Sequence, residues 1–302
     1  MNNLDRPALG IALRLLSGVL LAGMFVCMKA VSNSVPLGEI VFFRSFFALI
    51  PLVIFLWMRR EFPHGLATKR PAAHLLRSGF GALALFASVA AVTRLNLAEA
   101  ILVAQLCPVL MAIAAVVLLS ERLTIWRIGG LALGFAGVVM LVWPELSGQT
   151  DRTRLFGFAI GIVAALLAAL ALIMVRSLNK TESPGAIALY FVLASMAGAL
   201  LTLPWGWVRP EGGTLALLIG AGLLGGFGHI AMTLAFRYAE ASRLAAFEYV
   251  ALLWPVLADL VIFRQPLSAA FLLAMPFILG GALVASMERN SMQGHRAPAP
   301  AK

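Results

Sequence analysis

Arg44, His229, Glu248 and Asp259 are ionisable residues that lie inside long apolar segments of the sequence. A charged side chain at the centre of a membrane-spanning helix costs about 2.5–3.5 kcal/mol, so such residues are candidates for binding or transferring a polar substrate. Arg44 and Asp259 lie at similar depths from matching ends of their segments, which predicts an intramembrane charge pair. A purely structural salt bridge and a functional pair both fit this pattern.

His229 lies in a glycine-rich apolar segment. The glycines favour close helix packing, and no strand precedes them as a phosphate-binding loop would require. A buried histidine can donate a hydrogen bond to a substrate carboxylate or titrate as a gate. It can also simply satisfy a neighbouring carbonyl group, and both interpretations stay open.

Glu248, Leu252, Pro255 and Asp259 recur at spacings that place them on one face of a helix. We expect this face to point into the interior of the protein. Because Glu248 lies near the end of its apolar segment, it is interpreted either as a substrate-binding residue or as an interfacial one.

Aligning the two halves of the chain predicts a ring of residues around a substrate cavity. When the halves are aligned with an offset of 143 residues, His229 pairs with Phe86. With an offset of 144 residues, Tyr249 pairs with Gln105. With Trp254, these residues offer hydrogen-bond donors, acceptors and apolar walls, which a neutral amino acid would need. Ordinary core packing of the aromatic residues is the alternative.

No catalytic residue, metal site or cofactor is predicted. The chain has four histidines, and His64, His74 and His295 are placed in loops or in the tail. With His229 as the one histidine in an apolar segment, neither a metal site nor an activated nucleophile is easily built. An integral-membrane enzyme is therefore a distant alternative.

The composition indicates that the whole chain is embedded in a membrane. Hydrophobic residues make up 62% of the 302 residues, charged residues 12%, and the mean hydropathy is +0.97. A soluble domain needs roughly a quarter of its residues charged. The net charge of +10 is spread over many loops without a basic stripe, so no nucleic-acid partner is predicted. The expected partners are membrane lipids and a small-molecule substrate, and a monomer is compatible with the pattern.

Ten apolar stretches are long enough to cross a bilayer as helices. The predicted spans are Leu9–Val31, Leu37–Trp57, Leu75–Val92, Ala98–Leu119, Ile125–Val142, Leu155–Val175, Gly185–Leu203, Leu215–Phe236, Leu244–Phe263 and Phe271–Met287. The predicted fold class is thus an all-α membrane protein. Residues 1–148 form a first five-helix repeat, residues 149–287 a second, and residues 288–302 a disordered cytoplasmic tail.

The two halves are related in sequence, because Ala98–Val142 overlays Ser242–Ser286 without a gap and aligns Gly137 with Gly281. A repeat with five spans must be followed by a copy of opposite orientation. Inverted repeats are typical of secondary transporters, whose substrate site lies between the repeats near the midplane. Lys and Arg are concentrated on the side that holds the N-terminus, which places both termini in the cytoplasm.

Several short motifs resemble the drug/metabolite transporter superfamily, in particular its ten-helix EamA-type members. In the first half these are Pro108-Val109-Leu110 and Leu119-Ser120-Glu121-Arg122-Leu123; in the second half they are Gly228-His229, Arg237-Tyr238-Ala239, Phe247-Glu248-Tyr249 and Ala251-Leu252-Leu253-Trp254. The second set resembles YddG-type bacterial amino-acid exporters. The resemblance implies a transporter of the bacterial inner membrane.

The function predicted from the sequence is export of small metabolites, with aromatic and other neutral amino acids as the expected cargo. A sugar or nucleotide-sugar carrier is the alternative. The first apolar segment contains Lys29 and no embedded carboxylate. This disfavours exchange of a cationic drug for a proton and favours a zwitterionic or anionic cargo. Proton-coupled antiport and facilitated diffusion both stay open.

The predicted topology is tested by cysteine labelling in a background that lacks Cys27 and Cys107. Ser147→Cys should react with a membrane-impermeant thiol reagent added outside the cell, because it ends a span on the outer side. Ser291→Cys should react only after the membrane is permeabilised. The reverse pattern would contradict the orientation.

Overall fold

The computed structural model of the protein describes residues 6–62, 67–119, 125–147, 151–179, 181–238 and 250–294, together with Leu244. Their regular structure is helical. The helices are α1 (Pro7–Val31), α2 (Leu37–Met58), α3 (Pro71–Val92), α4 (Leu97–Ala104), α5 (Cys107–Leu119), α6 (Ile125–Ser147), α7 (Arg152–Leu178), α8 (Pro184–Leu200), α9 (Gly212–Tyr238), α10 (Leu253–Val261) and α11 (Ala269–Gly294), with a 3₁₀ turn at Leu203–Trp205. We call the end of the bundle where α1 begins and α2 ends the inner end, and the opposite one the outer end.

Six of these helices are long and apolar enough to cross a membrane. They contain the segments Ala8–Val31, Leu37–Met58, Pro71–Val92, Ile128–Ser147, Arg152–Val175 and Gly212–Ala235. Shorter apolar helical segments are Leu97–Met111, Pro184–Leu200 and Ala269–Val284. The all-helical membrane fold expected from the sequence is therefore confirmed for the described residues.

At the level of the helices, the structure differs from the sequence expectations in several places. The predicted span Ala98–Leu119 is broken at Gln105 into α4 and α5. The predicted disordered tail begins at residue 288, yet α11 continues to Gly294, because nothing in this polar stretch before Gly294 interrupts helical hydrogen bonding. His74 lies in α3 rather than in a loop, and its Nε2 is 3.7 Å from Glu182 Oε2.

Local sequence accounts for where several helices begin. Pro7, Pro71 and Pro184 occupy the first helical position, where the missing N–H group costs nothing. At α4, Asn96 and Glu99 form a reciprocal capping box. These caps hold the outer end of α4 in a defined position, which becomes important for the ion pairs described below.

Glycines allow α9 to pack closely against both α1 and α2. A Cβ atom added at Gly222 would collide with Phe47 of α2, and one added at Gly226 would collide with Pro51. Small residues at such positions let membrane helices approach closely. The contact brings Arg44, on the same helix as Phe47 and Pro51, directly against α9.

Two buried apolar clusters support the bundle. One involves α4, α7 and α11, with Leu102, Phe158 and Ile278 among its fully buried members. The other joins α1, α2 and α9 and includes Met28 and Leu218. Arg44 on α2 and His229 on α9 thus belong to helices held together by this second cluster.

The close α2–α9 contact gives a stability prediction. Gly222→Ala places a methyl group against Phe47, and overpacking of this kind costs about 1–3 kcal/mol. Gly79→Ala on α3 is the matched control, because a Cβ there has no neighbour within 4 Å. In thermal unfolding of the detergent-purified protein, Gly222→Ala should lower the midpoint and Gly79→Ala should not. Equal midpoints for the two variants would show that α9 does not need this glycine for packing.

Candidate functional site

An internal cavity of about 210 Å³ lies among α2, α3, α8 and α9. Its apolar wall includes Ala48, Leu52, Phe55, Ala188, Phe191 and Val192. Its polar wall consists of Arg44, Arg59, Glu61, Arg77, His229 and Thr233. A mostly apolar cavity with a few converging polar groups is the usual form of a small-molecule site.

The cavity extends from the inner end deep into the bundle. Arg59, Glu61, Pro184 and Gly185 line it where α2 ends and α8 begins. Arg44 lines its deep part and lies roughly 21 Å from the C-terminal end of α2, at a rise of about 1.5 Å per residue. A molecule entering from the inner end would therefore meet Arg44 well inside the protein.

Arg44 and His229 meet in the deep part of the cavity. Arg44 is 2% exposed, and its Nη2 lies 3.2 Å from His229 Nε2. A guanidinium can only donate, so Nε2 accepts this hydrogen bond and the neutral imidazole holds its proton on Nδ1. Arg44 Nε is buried and has no hydrogen-bond partner among the described residues.

Arg77 is a third arginine of the cavity wall, besides Arg44 and Arg59, and the sequence did not indicate it as a site residue. Its guanidinium lies over the ring of Phe191, with Cζ 4.6 Å from the ring centre. Its Nε and Nη1 are buried, and no described group accepts a hydrogen bond from them. The predicted span began at Leu75, which made Arg77 look interfacial. The observed start at Pro71 carries Arg77 into the helix by nearly two turns, and a proline at that position could have indicated this start.

The deep part of the cavity is positively charged. Glu61 is the one carboxylate among the described lining residues, and it lies near the mouth, where Arg59 Nε is 2.8 Å from its Oε1. Arg44 and Arg77 face the cavity, and no described carboxylate pairs with either of them. The arrangement can therefore bind an anionic group, whereas a cation placed there would meet two guanidinium groups.

The predicted ion pair between Arg44 and Asp259 does not form in the structure. Asp259 instead accepts hydrogen bonds from the backbone N–H groups of Leu97, at 3.0 Å, and Ala98, at 2.7 Å. The first N–H groups of a helix lack internal partners and lie at the positive end of its dipole, so they attract a carboxylate. Arg44 and Asp259 lie at similar distances from the ends of their apolar segments, but this does not determine which neighbours their side chains contact.

The predicted cavity ring is only partly brought together. His229 lines the cavity, whereas Phe86, Gln105 and Trp254 are not part of its wall. Phe86 packs against the cluster of α1, α2 and α9, and Gln105 ends α4. Trp254 Nε1 is buried without a hydrogen-bond partner. Glu248 and Tyr249 lie outside the described residues.

A polar network joins helices at the outer end, opposite the mouth of the cavity. Arg154 Nη2 lies 3.1 Å from both carboxylate oxygens of Glu99, and its Nε donates to Glu145 at 2.6 Å. Ser268 also donates to Glu99, and Lys29 donates to the carbonyl oxygen of Leu95. Together with the Asp259 contact to α4, these bonds connect residues from both halves of the chain at that end.

The revised partners of Arg44 and Asp259 predict independent effects on stability. Asp259→Asn should lower the stability of the purified protein, because the N-terminal amides of α4 lose their carboxylate. Because Arg44 contacts different groups, the change in free energy of unfolding of the double variant Arg44→Gln/Asp259→Asn should equal the sum of the two single changes to within about 0.5 kcal/mol. Asp151→Asn, an exposed helix cap for which asparagine serves equally well, is the control. A double variant more stable than that sum would restore the ion-pair interpretation.

Comparison with known proteins identifies the family. The EamA-like transporter family matches residues 8–143. The riboflavin transporter of Rhizobium johnstonii is 30% identical over 241 residues, which cover 78% of this chain and 77% of the relative. The pseudopaline exporter of Pseudomonas aeruginosa is 28% identical over 259 residues, covering 83% and 86% of the two chains. The S-adenosylmethionine uptake transporter of Rickettsia felis is 29% identical over 266 residues, covering 85% of each.

A crystal structure with 20% sequence identity has the same fold, with a TM-score of 0.66 over 94% of this chain and 98% of the other. The relatives are transporters of small molecules, and their names give different cargoes. The resemblance found in the sequence motifs is thus confirmed. This protein belongs to the EamA-like transporter family, within the drug/metabolite transporter superfamily.

Proposed function

We propose that this protein is a secondary transporter that carries a small carboxylate-bearing metabolite through the cavity among α2, α3, α8 and α9. The observation that carries the proposal is the cavity itself. It reaches from the inner end to Arg44 and His229, while a polar network joins the helices at the outer end. A site open to one side and closed to the other is what one state of an alternating-access cycle requires.

Matched helix contacts support an arrangement of ten spans in two inverted repeats. In this arrangement α1, α2 and α3 of the first half correspond to α7, α8 and α9 of the second. When the two halves are exchanged, the contact between α1 and α9 corresponds to the contact between α7 and α3. The contact between α2 and α9 likewise corresponds to the contact between α8 and α3. The contact between α6 and α11 stays the same when the halves are exchanged. Gly137 on α6 and Gly281 on α11 both lie at close contacts between these two helices.

The cavity lies where the proposed repeats meet, because α2 and α3 come from the first and α8 and α9 from the second. Rocking of one repeat against the other would close the inner mouth and open the outer network. The bacterial inner membrane, with both termini in the cytoplasm, is the proposed location.

The size of the cavity favours a small cargo. Sites for drug-sized ligands occupy roughly 300–1,000 Å³, whereas this cavity has about 210 Å³. Aromatic and other neutral amino acids, the cargo expected from the sequence, are of suitable size. Their carboxylate would bind near Arg44, and their side chain would contact Phe55 and Phe191. Outward movement from the cytoplasm fits the inner mouth and keeps export as the proposed direction.

A neutral sugar fits the cavity less well than a carboxylate-bearing molecule. It offers no charge to the guanidinium groups of Arg44 and Arg77, which would stay uncompensated in the bundle. A nucleotide sugar is anionic, but it is large for a cavity of about 210 Å³. The sugar carrier therefore remains the second hypothesis. No catalytic chemistry is proposed, and the relatives compared are named as transporters.

Transport through this cavity is tested with purified protein in proteoliposomes and a panel of labelled amino acids and sugars. We expect counterflow of carboxylate-bearing compounds and none of neutral sugars. Ala188→Trp should abolish it, because the indole would fill the cavity. The control is Leu193→Trp on the same helix, which is 45% exposed and does not line the cavity.

Two outcomes would contradict the proposed function. One is unchanged transport by Ala188→Trp in a folded protein, which would place the pathway elsewhere. The other is transport of sugars without transport of any carboxylate-bearing compound. Repeating the assay with and without a pH gradient separates proton-coupled exchange from facilitated diffusion.

A further inference from the structure

The geometry points to an oxyanion-binding site formed by Arg44 and Arg77, which selects organic anions as the cargo. This inference rests on the proposed transport function and narrows it to a substrate class. A carboxylate or phosphate group would bind both guanidinium groups in the deep part of the cavity, with the rest of the molecule toward the inner mouth. An additional cationic group on the cargo would be a disadvantage.

Arg44 and Arg77 each have N–H donors that no described group accepts. Arg44 uses Nη2 on His229, and its Nε is buried without a partner. Arg77 has both Nε and Nη1 buried without a partner. The planar fork of a guanidinium matches the two oxygens of a carboxylate or phosphate, and such charge-assisted bonds are about twice as strong as neutral ones.

The surrounding residues hold both guanidinium groups in place. Arg77 stacks on Phe191 and lies over Gly81, where an added Cβ atom would collide with Arg77 Nη1. Arg44 is held by His229, and its Nε lies 3.6 Å from where a Cβ of Gly225 would be. The donors are therefore oriented before a ligand arrives, which lowers the entropic cost of binding.

A purely structural role does not account for these contacts. A buried arginine that only holds helices together is normally paired with a carboxylate or bonded to carbonyl groups, because an uncompensated buried charge is costly. Arg154 at the outer end shows such pairing, with both Glu99 and Glu145. Among the residues that the structure describes, neither Arg44 nor Arg77 has an acidic partner, so an incoming anion would supply the missing charge.

His229 extends the site as a positioning residue. Because its Nε2 accepts from Arg44, the ring is neutral and adds no charge of its own. It keeps one edge of the Arg44 guanidinium occupied and leaves the Nε edge free. Because His229 is neutral, the preference for anions comes from Arg44 and Arg77.

Ligand selectivity is tested by calorimetric titration of the full-length protein in detergent with four probes that share a phenyl group. These are 3-phenylpropanoate, phenyl phosphate, L-phenylalanine and 2-phenylethylamine. We expect binding of one or both anions, weaker binding of the zwitterion and no binding of the amine. Comparing the two anions shows whether carboxylate or phosphate is preferred.

The arginines are tested with Arg77→Gln and Arg44→Gln. Each should weaken anion binding about tenfold or more, as expected for the loss of hydrogen bonds between charged groups. Arg77→Lys keeps the charge but loses the fork, so it should fall between Arg77→Gln and the parent protein. The matched control is Arg94→Gln, which removes a half-buried arginine that bonds Ala90 O and does not line the cavity.

If Arg44→Gln fails to fold, Arg77→Gln and Gly81→Ala still test the site. The second displaces the Arg77 guanidinium without changing any charge. Reconstitution into liposomes with and without phosphatidylglycerol distinguishes the cargo from a lipid headgroup. Anion binding that is unaffected by this lipid supports a cargo site, whereas competition by the lipid overturns the assignment.

Failure of this inference can be separated from failure of the proposed function. If Ala188→Trp blocks transport but the arginine variants bind and transport anions like the parent, the oxyanion site is wrong and the transport pathway stands. If the amine binds as well as the anions, the site is also wrong. If Ala188→Trp transports normally, the pathway itself is wrong and the arginines lose their proposed role.

Discussion

Keeping a guanidinium charged inside an apolar helix bundle is the constraint on which this structure depends. Arg44 is almost completely buried and bonds one neutral side chain, His229. Its position requires the glycines of α9, because Gly222 and Gly226 let α9 approach α2 without collision. The second guanidinium, that of Arg77, faces the same cavity. Close packing thus places two cations where an anion, or solvent that enters from the inner end, must offset their charge.

Charged side chains are arranged differently at the outer end of the bundle and in the deep cavity. At the outer end, carboxylates and cations neutralise one another through Glu99, Arg154 and Glu145, and Asp259 meets the N-terminal amides of α4. In the deep cavity, the arginines are left with unused donors. Satisfied pairs stabilise a closed contact between helices, whereas unsatisfied donors favour a ligand. A cargo anion could therefore shift the balance between two arrangements of the same helices, provided that it binds one arrangement more tightly.

The sequence predicted the all-helical membrane fold, because long apolar runs depend on local chemistry. It did not use the prolines that begin α1, α3 and α8. It also selected Arg44 and His229, since ionisable residues stand out in apolar segments. It paired Arg44 with the wrong residue, because depth along a helix does not give the direction in which a side chain faces. The amides of α4 that hold Asp259 lie at the start of a helix that the sequence did predict, but only the folded structure shows that Asp259 faces them. Arg77 was missed because its helix begins earlier than its apolar run.

The accessibility of Thr233, an exposed residue of the cavity wall, tests directly whether the cavity opens inward and binds anions. Thr233→Cys, in a chain without Cys27 and Cys107, would be treated with an impermeant thiol reagent in membrane vesicles of either orientation. We expect Thr233→Cys to react from the cytoplasmic side, and we expect 3-phenylpropanoate to slow the reaction while 2-phenylethylamine does not. Reaction only from the opposite side, or a rate unaffected by the anion, would contradict an inward-open cavity that binds anions.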